Sequence, residues 1–131
     1  MNSKLHMGAR LLFGFGFLVF GLNGFLQFMP NPPVTQEAGA LLGALANTGY
    51  FFIMIKSIET LVGILLLTNI FAPLAVVLIA PVLVGITTIH LFLNPAGLPL
   101  IILLHILHLI IIIGYKDYYR SMFTLKAECC S

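Results

Sequence analysis

Four long apolar runs, joined by connections that contain no lysine or arginine, constrain this chain more than any other feature. They extend from Met7 to Phe28, Gly49 to Leu67, Ala72 to Leu93 and Leu98 to Tyr115. Each meets or approaches the roughly 20 residues needed to cross about 30 Å of hydrocarbon. Stretches such as Ile110-Ile111-Ile112-Ile113 are apolar at every position, whereas a transmembrane strand alternates polar and apolar sides, so the spans are helices. With 131 residues, 60% of them hydrophobic and 8% charged, the chain has too little polar surface to clothe a water-soluble globule. The expected fold is all-α: one polytopic membrane domain over residues 1–131, a four-transmembrane-helix bundle.

Breakers separate the runs. Pro30, Pro32 and Pro33 follow the first, Asn69 the second, and Asn94-Pro95-Ala96-Gly97 the third. The last two connections are so short that spans two, three and four must be antiparallel neighbours in sequence order. The one long connection places Ala38, Leu41, Leu42, Leu45 and Ala46 at the spacing of one helical face from Thr35 to Asn47, with Thr35 as N-cap. It reads as a short amphipathic helix in the first outer loop, too short to span.

Five of the six basic residues lie near the chain ends, as Lys4, Arg10, Lys116, Arg120 and Lys126. By the positive-inside rule both termini are expected in the cytoplasm, in a multi-pass protein of the inner (cytoplasmic) membrane with a cytoplasmic tail over 116–131. The net charge of +2 is unlike that of a nucleic-acid surface, so nucleic acid is not an expected partner. The first run has the basic start of a signal peptide. It is long for one, and Met29-Pro30-Asn31-Pro32 is not a small-residue cleavage site, so it reads as a retained span. Cys129 and Cys130 fall in the tail, where thiols stay reduced, and read as inert.

Polar residues inside the spans carry most of the functional information, because a charge near the bilayer centre costs on the order of 2.5 to 3.5 kcal/mol on insertion scales. Lys56 and Glu59, at i and i+3, share a face and can neutralise one another, with Gly63 continuing their stripe. His105 and His108 repeat that spacing in the fourth span. Counting about 1.5 Å per residue from the outer ends puts both pairs at similar depths of roughly 10 and 15 Å. His90 in the third span and Asn23 in the first add to the outer half, and together these groups predict a small polar cavity there.

Several chemistries fit such a cluster. His90, His105 and His108 could ligate a metal such as zinc, iron or copper, or bind haem axially. The same groups could line a quinone or small-molecule pocket in which Glu59 and the histidines relay protons, or act only as interhelical hydrogen-bond glue. Arg10, Gly14, Gly21 and Gly24 form one stripe of the first span. The arginine reads as an interfacial anchor and the glycines as a packing face, which could also drive homo-oligomerisation if left open.

Taken in order, Ala9-Arg10-Leu11-Leu12-Phe13-Gly14 with Gly21-Leu22-Asn23-Gly24, Lys56-Ser57-Ile58-Glu59 with Gly63, Ile89-His90-Leu91-Phe92-Leu93 leading to Gly97-Leu98-Pro99, and Tyr115-Lys116-Asp117-Tyr118-Tyr119-Arg120 resemble the DoxX family over nearly the whole chain. The resemblance implies a four-helix membrane protein of the kind linked to thiosulfate oxidation coupled to quinone reduction, or to other membrane redox complexes. It carries over at Arg10, Asn23, Lys56, Glu59 and His90. The fourth span departs from it, with His108 where many relatives have an acidic residue. Two functions follow as expectations. One is the membrane subunit of a quinone-linked oxidoreductase acting on reduced sulfur or thiol partners, with other redox subunits as neighbours. The other is a non-enzymatic membrane module that binds a partner protein, a lipid or a small solute.

Overall fold

The computed structural model describes residues 2–130, and among them it contains helices and turns without strands. Four helices are long and apolar enough to cross a membrane: α1 (Ser3–Leu26), α3 (Phe51–Thr68), α4 (Ala72–Phe92) and α5 (Leu98–Gly114), the last extended at its start by a 3₁₀ turn at Pro95–Gly97. The chain is a multi-pass membrane protein. The short α2 (Gln36–Asn47) lies in the first connection, and α6 (Lys116–Tyr119) with a final 3₁₀ turn (Arg120–Phe123) follows the last span.

Local chemistry sets the boundaries. The first helix starts about a turn earlier than the apolar run suggested, because the Asn2 side chain accepts the backbone N–H of Lys4 and so caps it. It ends two residues before Phe28, on Gln27 in the left-handed region at φ 50°. Thr35 caps α2 through the N–H of Ala38 at 3.2 Å, and its hydroxyl also donates to the Leu93 carbonyl, tying this helix to the end of α4. Of the anticipated apolar face of α2, Ala38 is buried and Leu42 and Leu45 are half-covered, while Leu41 and Ala46 are exposed. Asn69 closes α3 in the left-handed conformation its short side chain tolerates.

The helices form a ring in which α1 packs on α3, α3 on α4, α4 on α5 and α5 back on α1. Spans two to four are antiparallel neighbours, as their short turns require. The start of α1 meets the end of α5 at His6 and Ile111, so both chain termini share one end of the bundle, called here the terminal end. The loop end carries α2 and the Pro95–Gly97 turn. Phe13, Phe17, Val62, Leu66, Val76, Ile79, Leu83 and Ile111 are almost wholly covered and fill the ring from all four sides.

The tightest seam is between α1 and α3. A Cβ placed on Gly63 would stand 2.5 Å from the Leu18 nitrogen and 2.8 Å from the Gly14 carbonyl oxygen, and one on Gly21 would stand 2.6 Å from the Thr60 nitrogen. Only glycine lets the two backbones approach so closely, which in lipid replaces the missing hydrophobic drive with dense van der Waals contact. Two glycines of the stripe thus serve packing within the bundle, while Gly24 stays exposed. Gly14 and Gly21 are buried against α3.

Candidate functional site

Lys56 and Glu59 form the ion pair that their spacing predicts, with Lys56 Nζ 2.9 Å from Glu59 Oε2. The two ends of the pair differ in environment: the glutamate side chain is 4% exposed and the lysine side chain 26%. The helical rise puts Lys56 about 8 Å and Glu59 about 12 Å below the loop end of α3. The lysine stem lies along Gly24 of α1, where a Cβ would come within 2.5 Å of its Cδ, so the glycine seam also makes the channel in which the lysine runs. An ammonium carries three donors and one is committed to Glu59, leaving two for a group arriving at the partly open side.

The remaining polar candidates are not gathered around this pair. His105 lies on the α4–α5 seam. Its Nε2 is 2.7 Å from the Thr87 hydroxyl, whose own proton goes to the Leu83 carbonyl at 2.6 Å, so the imidazole N–H is the donor between them. His108 is buried. It donates from Nε2 to the Val76 carbonyl at 3.0 Å and stacks on Phe13 with ring centroids 5.5 Å apart, linking α5 to both α4 and α1. His90 donates from Nδ1 to the Ile86 carbonyl at 2.8 Å, and its ring fills the space beside Gly97 that a side chain there would need. Asn23 accepts the N–H of Met29 at 2.8 Å and orders the chain as it leaves α1.

The level of His108 differs from that obtained by counting residues from helix ends. Along α1 it lies against Phe13, whereas the Lys56–Glu59 region lies against Gly21 and Gly24, about 12 Å nearer the loop end. Counting gives equal depths only for upright helices that begin at one level, and these helices are staggered. His90, His105 and His108 thus serve three different contacts. Among the described residues no three His, Cys, Asp or Glu side chains come together in an arrangement that could hold a metal ion.

At the terminal end the structure gathers a second polar group, of which the sequence pattern singled out Arg10 as an anchor but not its partners. Arg10 does reach this end, but its guanidinium donates to the Leu66 carbonyl, one of the last four acceptors of α3 that have no partner within their own helix. Near the end of α5, His6 donates from Nε2 to the Ile111 carbonyl at 3.3 Å, an oxygen that also accepts the backbone N–H of Tyr115. Both supply a donor to a helix C-terminus, where the backbone dipole favours a cation. Tyr115 packs edge-on against His6 at 4.5 Å and donates its hydroxyl to Asn69 at 2.9 Å, and Tyr119 donates to the Pro73 carbonyl at 3.0 Å. Burial, reinforced by Tyr115 beside it, pushes the Tyr119 phenol up to about 12. Two clefts open here, of about 310 and 220 Å³. A signal was present in the run Tyr115, Tyr118 and Tyr119 just beyond the last span, the position of an interfacial aromatic belt.

The chain matches no protein-family model, no curated protein and no solved structure.

Proposed function

We propose that this chain is a DoxX-like membrane subunit of the cytoplasmic membrane, with both termini in the cytoplasm. It holds an acceptor group of a lipid-soluble ligand or partner at Lys56–Glu59, and the chemistry itself is left to a neighbouring subunit. One observation carries this reading. Lys56–Glu59 is an ion pair inside the apolar bundle whose anion is covered and whose cation is partly open. A buried ion pair contributes little stability that well-packed apolar side chains could not match, and ionisable groups within a span mark function by default. The other polar candidates already have internal partners.

A quinone is the ligand class that fits best. Its carbonyl oxygen is an acceptor suited to the two remaining Lys56 donors, and its ring is soluble in the surrounding lipid. This connects the site to the quinone-linked redox role implied by the family resemblance, with Lys56 orienting the carbonyl and Glu59 fixing the ammonium. A non-enzymatic module is the second reading. It is favoured by the cysteines, since Cys129 and Cys130 both lie in the exposed tail, away from the spans, and leave a thiol partner nothing to exchange with inside the bundle.

Binding of a short-chain quinone analogue to the protein in lipid nanodiscs tests the reading. Saturable binding that falls at least tenfold in Lys56→Met is the expected result. Unchanged binding in that variant, or none in the wild type, would remove the quinone and leave the partner-binding module.

A further inference from the structure

The cleft of about 310 Å³ at the terminal end is lined by Ser3, His6, Ile113, Gly114 and Lys116, between the start of α1 and the end of α5. We propose that it is a binding site for a phosphate group, in a lipid headgroup or a soluble phosphate ester. It is separate from Lys56–Glu59 and does not depend on the function proposed for that pair.

The lining chemistry is that of an anion site. Ser3 supplies a hydroxyl and Lys116 an ammonium, and no carboxylate is among the lining residues. His6 is held in a fixed pose by its bond to the Ile111 carbonyl and its edge-on contact with Tyr115. Its Nε2 carries the proton given to that carbonyl. Gly114 makes room for this pose, because a Cβ there would stand 2.8 Å from the His6 Cγ and closer still to the far edge of the ring. The first turn of α1 adds the positive end of a helix dipole. Ile113 adds an exposed apolar side chain to the lining, so the cleft suits a molecule with a charged head and an apolar remainder.

The depth supports the same chemistry. Ser3 begins a membrane-crossing helix and Lys116 follows the end of another, so the cleft opens at the level where phospholipid phosphates lie.

Native mass spectrometry of the full-length protein in detergent tests this, using phosphatidylglycerol, phosphatidylcholine and glycerol 3-phosphate as probes. The expected result is one tightly held phosphatidylglycerol per chain, preferred over phosphatidylcholine. Occupancy should fall by about fivefold in Lys116→Gln and again in Ser3→Ala, and stay unchanged in Lys126→Gln, which removes an equal charge from the exposed tail. Competition by glycerol 3-phosphate at comparable concentration would support the phosphate site and assign it to a soluble ester. Equal weakening by Lys126→Gln and Lys116→Gln, or retention of a phosphate-free diacylglycerol equal to that of phosphatidylglycerol, would overturn the proposal.

Discussion

The α1–α3 seam and the α4–α5 seam solve the same problem by different means. Lipid tails are as apolar as leucine, so helices in a bilayer gain nothing by hiding apolar surface from one another. The α1–α3 seam answers with glycine, bringing Gly63 against the backbone of Leu18 and Gly21 against that of Thr60. The α4–α5 seam keeps its backbones farther apart and bridges them with imidazoles, through His105 to Thr87 and His108 to the Val76 carbonyl. The contrast separates rigidity from chemistry. Close backbone contact fixes a pair of helices without using any polar group, which leaves Lys56 and Glu59 on that seam free for another purpose. On the other seam the polar groups are themselves the fastening.

Overfilling the first seam should have the largest effect. Gly63→Leu would drive a side chain into Leu18 and Gly14, with an expected loss of about 3 kcal/mol measured by unfolding in mixed micelles. His108→Ala on the second seam should cost about 2 kcal/mol by removing a buried ring and its hydrogen bond together. If it cost more than Gly63→Leu, the division between the seams would be wrong.

A smaller effect belongs to the terminal end and depends on pH. The raised pKa of Tyr119 means that the folded state favours the neutral phenol that donates to Pro73. That contribution is complete below about pH 10 and is lost as pH rises through about 12. It should amount to about 1 kcal/mol once solvent screening is allowed for, and Tyr119→Phe should flatten this part of the stability profile. The smallest change is expected for Thr87→Val, at about 0.6 kcal/mol, the average for one interhelical hydrogen bond in a membrane.

The architecture was legible because lipid leaves so few options. Runs of about 20 apolar residues have to be helices, and a turn as short as Asn94-Pro95-Ala96-Gly97 has to join neighbours. Thr35 and Asn69 announced helix ends by chemistry that acts locally. The candidate site was only partly legible. The Lys56–Glu59 pair is a local relation, one turn apart on one helix, and its spacing was enough. The histidines depended on stagger between helices, which no single helix encodes, so equal counts from helix ends placed His108 level with Glu59 when its neighbours are Phe13 and Val76. Arg10 and His6 were obscure for a related reason. Each caps the end of a helix that is distant in sequence, and the carbonyl it serves leaves no mark in the amino-acid pattern.

The central claim is that Lys56–Glu59 is kept for binding and the glycine seam for stability. The most direct test replaces both charges at once, in Lys56→Met/Glu59→Leu, and follows unfolding and quinone-analogue binding on the same nanodisc preparation. The account predicts stability within about 1 kcal/mol of wild type, because an ion pair exchanged for apolar side chains of similar volume is close to neutral, together with loss of binding. A loss of about 3 kcal/mol or more, with binding intact, would contradict it.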